Sequence, residues 1–369
     1  MQSRVSELQR PRRAPVAIGR QGGVMVGASS YRDRLVRIDS GRKAATRILF
    51  LAKHALSGGR PDEEDGVHAV YHHELLTTLS GIGFAVEPAN SFRALDTRPD
   101  VDFVFPLLNR AGFQNSEMLG PLMLARMGIP YLGAIPIIRG LADDKHLMKV
   151  AARHHGVPTM DWAIYRREAP TPDTAPFPAE RYVAKPNASS ASWGVGLFDD
   201  WQDAREHVAS LHAAGHDALV EAWVPLIDIA VPVVGADGML LLPPMAYRPA
   251  DPGRPRSYEE KRGLIPVEDD PLELVEEPAL IGRLEAMTRL LVTELWPFDY
   301  GRFEYRYDPM TGALRFMEVN LSCNLWSKKT ISRSAASVGI DHAELVETIV
   351  THSLIRQQVL PRQRGRLAA

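Results

Sequence analysis

Two carboxylates and one amide lie close together in the segment RFEYRYDPMTGALRFMEVN, residues 302–320. Asp308-Pro-Met-Thr-Gly312 marks a turn between two strands there. Strict alternation puts Arg302 and Glu304 on one face of the first strand. It puts Leu314, Phe316, Glu318 and Asn320 on one face of the second. Folding the hairpin then brings Glu304 beside Glu318 and Asn320. Two carboxylates and an amide oxygen form a hard-oxygen set, suited to Mg²⁺ that also bridges nucleotide phosphates. The competing reading is a solvated strand face. Sharing that face with Leu314 and Phe316 makes carboxylates costly unless they are paired or liganded.

Three further constellations suit a nucleotide. Lys185-Pro-Asn-Ala-Ser-Ser-Ala-Ser192-Trp-Gly194-Val-Gly196 follows a strand. Its small residues offer N–H groups and hydroxyls to phosphate oxygens, and Lys185 adds a point charge. The order of a Walker A loop is absent. Glu221-Ala-Trp223-Val224 ends an apolar strand and can line an adenine slot, with Asp228 four positions on for ribose hydroxyls. Tyr258-Glu-Glu-Lys261-Arg262 lies in a polar, proline-flanked stretch and, taken alone, reads as a solvated charge run. His72-His73-Glu74 sits mid-helix without the HExxH order and reads as surface. The acidic run Asp62–Asp65 suits a helix start, and Cys323 reads as a small buried residue.

The elements that must position these residues follow from periodicity. Alternating strand and helix signals run from Arg47: strands at 47–52, 84–88 and 101–108, helices at 66–80 and 117–127. That order implies a small doubly wound α/β domain. A helix over 142–156 opens a second unit, with strands in DWAIYRR, at 181–186 and at 217–224, and a helix over 201–214. Together these imply a compact α+β module. A helix over 278–295, the hairpin and a last helix opened by Asp341 with Glu344 three residues on form a third unit, also α+β.

At 369 residues the chain is too long for one ordinary core. Apolar residues at 45% and charged residues at 24% describe a globular protein. A net charge of −2 gives no footprint for nucleic acid or a membrane surface, and no apolar run approaches the roughly 18 residues of a membrane span. The single cysteine excludes an intramolecular disulfide and fits a reducing compartment, hence a cytoplasmic expectation. Residues 1–44 are expected as a disordered extension, and 359–369 as a tail.

In order along the chain, MGIPYLGA with DDK (143–145), VAKP with the Ser/Gly loop, VEAWV, YEEK and RFE…MEVN resemble the ATP-grasp superfamily. Within it the likeness is to the D-alanine–D-alanine ligase family, from about Arg47 to Leu354. The resemblance implies a three-domain architecture: an N-terminal α/β domain (45–138), a small lid domain (139–225) and a C-terminal domain with the metal site (226–358), the last two clamping ATP. It implies that Lys145 and Lys185 contact phosphates, that Glu221, Trp223 and Val224 line the adenine pocket, and that Asp228 holds the ribose. Lys261 would reach the γ-phosphate, Arg302 would stabilise the activated carboxylate, and Glu304, Glu318 and Asn320 would bind two Mg²⁺ ions. Glu63 or Glu64 would meet a substrate ammonium. A homodimer is also implied.

The departures are on the substrate side. Asn109-Arg-Ala-Gly-Phe-Gln-Asn-Ser116 replaces the family's His-Gly…Glu-Asp-Gly stretch. Ala191, followed by Ser192, replaces an active-site serine, Arg262 replaces a tyrosine, and Ser322-Cys323-Asn324 replaces a Ser-Pro-Gly turn around the product. The expectation is therefore a ligase that joins a small carboxylate to an amine, on substrates other than those of cell-wall dipeptide synthesis. A genuine D-alanine–D-alanine ligase and a non-catalytic ATP-binding protein are the alternatives.

Overall fold

Four consecutive apolar residues, Ile48 to Leu51, need cover on both faces of a strand. In the computed structural model, which describes residues 31–110, 112, 115–248, 254, 257–265 and 272–361, they have it. A short helix α1 (Ser40–Ala45) precedes strand β1 (Arg47–Leu51), helix α2 (His68–Ile82), β2 (Ala85–Ala89) and β3 (Phe103–Pro106). These strands form a parallel sheet in the order β2-β1-β3. Ile48 and Phe50 face α2 (Tyr71, Leu75, Leu79), while Leu49 and Leu51 face the other layer, with Leu124 of α3 (Leu119–Met127).

The helix expected over 142–156 is two helices. α4 (Pro136–Asp143) ends and α5 (Lys145–His154) begins at Asp144, which is extended (ψ 102°) and whose carboxylate accepts the Leu147 N–H. The break aims Lys145 elsewhere than a continuous helix would. Next comes an antiparallel sheet in the order β4-β7-β5-β6, made of β4 (Trp162–Tyr165), β5 (Tyr182–Pro186), β6 (Gly196–Phe198) and β7 (Ala218–Ala222). Helix α6 (Trp201–Ala213) packs on it through Ala204, Val208 and Leu211.

The largest sheet is antiparallel, in the order β11-β10-β8-β12-β13, with β9 also on β8. Three strands between 226 and 247 had no counterpart in the sequence reading: β8 (Ile227–Ala236), β9 (Gly238–Leu241) and β10 (Met245–Tyr247). Pro232 sits inside β8, where its missing N–H disfavours a central strand. Its carbonyl accepts from Leu242, so its missing donor faces the side where the β10 pairing ends and the β9 pairing begins. Helix α7 (Tyr258–Arg262), β11 (Leu272–Leu274), α8 (Pro278–Leu295), β12 (Tyr300–Tyr307), β13 (Leu314–Asn320), α9 (Thr330–Ser337) and α10 (His342–Arg356) complete the chain. Among the described residues no helix is long and apolar enough to cross a membrane.

Other expectations need correction. The stretch 31–44 is anchored: Arg32 pairs with Glu344, and Arg34 donates to the carbonyl of Asp237 at 2.8 Å. Residues 1–30 and 362–369, and much of the proline-flanked stretch around Tyr258–Arg262, lie outside the described residues. His72 is buried rather than on the surface. Most consequential, Leu314 and Phe316 do not share a face with Glu318 and Asn320. The β12–β13 register shifts between Glu304 and Tyr305, leaving Met317 without an opposite residue. Beyond this bulge the parity inverts. Val319 joins Leu314 and Phe316 in the core, while Glu318 and Asn320 turn to the opposite face with Arg302 and Glu304.

Deleting Met317 should restore regular pairing and keep Glu318 and Asn320 on the face of Arg302 and Glu304, because Glu318 then follows Phe316 directly. No polar group is driven into the apolar layer, so the expected cost is about 0.5–3 kcal/mol, the range of ordinary single changes. Met317→Ala keeps the residue count and should unfold near wild type in a thermal melt.

Candidate nucleotide and metal site

The bulged hairpin sets Glu304 directly opposite Glu318 and Arg302 opposite Asn320. The Asn320 side-chain amide donates to Glu304 Oε1 at 2.8 Å and to Glu318 Oε1 at 3.3 Å, so the two carboxylates converge on one point. Arg302 donates through Nε to Glu304 at 2.7 Å. Burial raises the Glu304 carboxyl above the ordinary range, with Arg302 opposing and Glu318 adding to the rise. Burial also acts upward on Glu318, but Lys145, Lys185 and Lys261 outweigh it and lower that group. Like charges facing each other divide in this way unless a cation lies between them. Two carboxylates held side by side next to an amide, whose oxygen could join them, are the hard-oxygen donors that would suit a divalent ion.

Lys145 lies at the start of α5, with Nζ 3.8 Å from Glu318 Oε2 and 3.0 Å from the Ser189 carbonyl. Its backbone N–H donates to Asn187 O, and His146 N–H donates to Asn187 Oδ1 at 2.9 Å. The helix start is thereby stitched to the small-residue loop after β5. Ala191 and Ser192 in that loop hold positive φ, 56° and 60°, an uncommon setting for residues with a Cβ. Lys145, Ser189, Ser190, Glu318 and Asn320 line one cavity.

On the facing sheet Lys185 is paired with Glu221. A third group, missed in the sequence, completes the set. Lys149, one helical turn after Lys145 and fully buried, has Nζ 2.5 Å from Glu221 Oε1. The i, i+4 spacing of two lysines on one helix was the available signal. Burial pushes the Glu221 carboxyl up, but Lys149 and Lys185 overcome it and hold the group at about 2.

Trp223, Val224 and Asp228 are also brought together, through Arg306. Its guanidinium lies 4.8 Å from the Trp223 ring centroid, 3.1 Å from the Val224 carbonyl and 2.7 Å from Asp228. Arg306 shares a strand face with Arg302 and Glu304, which places this group in line with the carboxylates.

Tyr258-Glu-Glu-Lys261-Arg262 is a helix closed by a capping box between Ser257 and Glu260. The Lys261 charge acts on Glu304, Glu318 and Asp228. Arg262 turns to the N-terminal unit, 3.4 Å from Asp65, and its carbonyl accepts the Val67 N–H at 3.1 Å. Gly66 has φ +55°, and a Cβ there would collide with that carbonyl. Glu63 and Glu64 are exposed, whereas Asp65 is buried, holding Lys53, His54 at 2.9 Å and Tyr258 at 3.4 Å as well as Arg262. His72 accepts the His54 N–H through Nδ1, as a neutral ring must, and burial lowers His72 to about 3. Asn109 and Ser322, two of the departures from the resembled family, meet at 3.1 Å. Asn324 instead caps its own turn, accepting the Trp326 N–H at 2.8 Å. Cys323 is buried, its thiol pushed up to about 12.

The Glu221 arrangement has a pH signature. Its ordinary value is 4.5 and its folded value about 2, so its contribution is complete above pH 4.5 and is lost as pH falls towards 2. Glu221→Gln leaves two lysines buried together and should destabilise by about 3–5 kcal/mol. Urea unfolding followed against pH should show the acid arm between 4.5 and 2 in the wild type and a flatter one in the variant. Parallel curves would contradict the assignment.

No protein-family model matches the chain. It is 26% identical over 302 residues to the D-alanine–D-alanine ligase of Desulfovibrio desulfuricans, covering 80% of this chain and 91% of that one. An uncharacterized protein of Sinorhizobium fredii is 27% identical over 236 residues, 62% of this chain and 68% of that protein. The crystal structure of D-alanine–D-alanine ligase from Bacillus anthracis complexed with ATP superposes with a TM-score of 0.67 at 20% identity, covering 85% of this chain and 99% of that one. The chain is similar in sequence to D-alanine–D-alanine ligases, at low identity, and shares their fold.

Proposed function

We propose that this protein is an ATP-dependent ligase that joins a small carboxylate to an amine through an acyl phosphate, releasing ADP and phosphate. The observation that carries this reading is the convergence of Glu304 and Glu318 on the Asn320 amide, with Lys145 Nζ 3.8 Å from Glu318 and the Lys261 charge acting on both carboxylates. Similarity to ligases, one of them solved with ATP, supports it.

In this reading Trp223, Val224 and Asp228 take the nucleoside, and Lys145, Lys185 and the 187–196 loop, Ser192 included, take the phosphates. Glu304, Glu318 and Asn320 would hold magnesium, which would supply positive charge to the phosphate oxygens. The substrate carboxylate attacks the γ-phosphorus as the bond to ADP breaks. Arg302 and Lys261 stabilise charge on the oxygens in transit. The amine then attacks the acyl carbon, phosphate leaves and the nitrogen loses a proton, forming the amide. An acyl phosphate must be kept from water. Docking of α7 against Gly66 and Val67 closes the side where Lys261 sits. The groups that differ from the resembled family (Asn109, Arg262, Ser322 and Asn324) belong to the substrate side, which favours an acid and amine other than two D-alanines.

The test is ATP-dependent hydroxamate formation from a panel of carboxylates in the presence of hydroxylamine. At least one acid should yield hydroxamate with stoichiometric ADP. Glu318→Ala should lower the rate by about 100-fold or more, the scale of losing a preorganised electrostatic group. Full activity in that variant, or ATP binding with no hydroxamate from any acid, sinks the reading.

A further inference from the structure

The cavity beside the metal-type carboxylates has a second wall that the proposed ligase chemistry does not use. Arg139 of α4 lines it, 1% exposed, with Glu117, Asp143, Lys145, Glu318 and Asn320. Arg110 takes the nearby acids: its NH2 is 2.6 Å from Asp143 and 3.0 Å from Glu117. Arg139 is left with one long contact, NH1 to Glu117 Oε2 at 3.5 Å. Among the described residues its Nε and NH1, and NH1 of Arg110, have no hydrogen-bond partner. A guanidinium carries five donors and cannot shed its charge, so burying it with two nitrogens unsatisfied is costly unless an anion completes the site.

The same cavity reaches Leu321, the residue after Asn320, as well as Lys145 and Ser189. The Arg139 charge acts on the Cys323 thiol and the Tyr300 hydroxyl. Leu321–Asn324 is the turn that departs from the resembled family, and Asn109 reaches it through Ser322.

We infer that Arg139, seconded by Arg110, binds an anionic group on the substrate acid, remote from the carboxylate that is activated. The preferred acid is therefore a dicarboxylate or another acid with a second anionic group. A planar guanidinium takes a carboxylate through two parallel hydrogen bonds, which a lysine cannot reproduce. The inference rests on the ligase reading of the same site.

The hydroxamate assay with ATP and hydroxylamine tests it, on the whole protein, with matched acids: succinate, glutarate, aspartate and glutamate against propionate, butyrate, alanine and D-alanine. The dicarboxylates should react and the monocarboxylates should not, a comparison that needs no variant. Arg139→Met should raise KM for the reactive acid by about 10- to 100-fold, the scale of a lost charged hydrogen-bonded pair. Its ATP Kd should stay at the wild-type value, with Arg139→Lys falling between. Equal turnover of monocarboxylates overturns the inference and leaves the ligase reading standing. So does a loss of ATP affinity in Arg139→Met as large as the loss for the acid, which would make Arg139 a phosphate ligand. ATP binding with no hydroxamate from any acid overturns both.

Discussion

Glu304 and Glu318 face each other across a strand pair, and most of the site exists to make that tolerable. Two carboxylates in a partly buried setting repel, and burial together with Glu318 raises the Glu304 carboxyl above the ordinary range. Compensation comes from separate elements: Arg302 from the same strand, Lys145 from the first turn of α5 and Lys261 from α7. Each cation requires its element to be docked correctly. The break at Asp144 is needed because a straight helix would carry Lys145 elsewhere. The bulge at Met317 is needed because, with that residue in place, regular pairing would send Glu318 into the core.

The facing sheet shows the opposite imbalance. There one carboxylate, Glu221, holds two buried lysines. A buried ion cluster of this kind is not a source of stability, since desolvation consumes much of what the attraction returns. Its effect is to hold Lys149 and Lys185 together on one carboxylate, with Lys185 at the start of the small-residue loop. An excess of acid on one sheet and of base on the other is what a metal–triphosphate pair, itself a cation joined to an anion, would satisfy.

Much of this was legible in the residues. The turn at Asp308–Gly312, the strand ending at Lys185 and the capping box at Asp341 each rest on local chemistry, and the structure places strands and helices accordingly. What escaped depends on distant partners. Alternation alone assigned Leu314 and Glu318 to one face, because a bulge is set by the neighbouring strand and by Thr159, which bridges to Phe316. β8 escaped because Pro232 is permitted only where β10 hands over to β9. Lys149 and Arg306 escaped because a buried lysine or arginine looks like a surface one until its acid is found. Asp65, rather than Glu64, faces inward because Asp62 turns the loop by accepting the N–H groups of both Glu64 and Asp65.

That turn bears on the substrate. An acid near the first helix would ordinarily be available to a substrate ammonium, but Asp65 is already surrounded by Lys53, His54, Tyr258 and Arg262. These partners hold its carboxyl far below the ordinary range, burial notwithstanding. A carboxylate with that many donors has little capacity left for a substrate ammonium. Arg139 of α4 presents the opposite case, a buried guanidinium with nitrogens that lack a partner among the described residues. An acid whose second functional group is negative would answer that need, whereas a substrate ammonium finds no free carboxylate at Asp65.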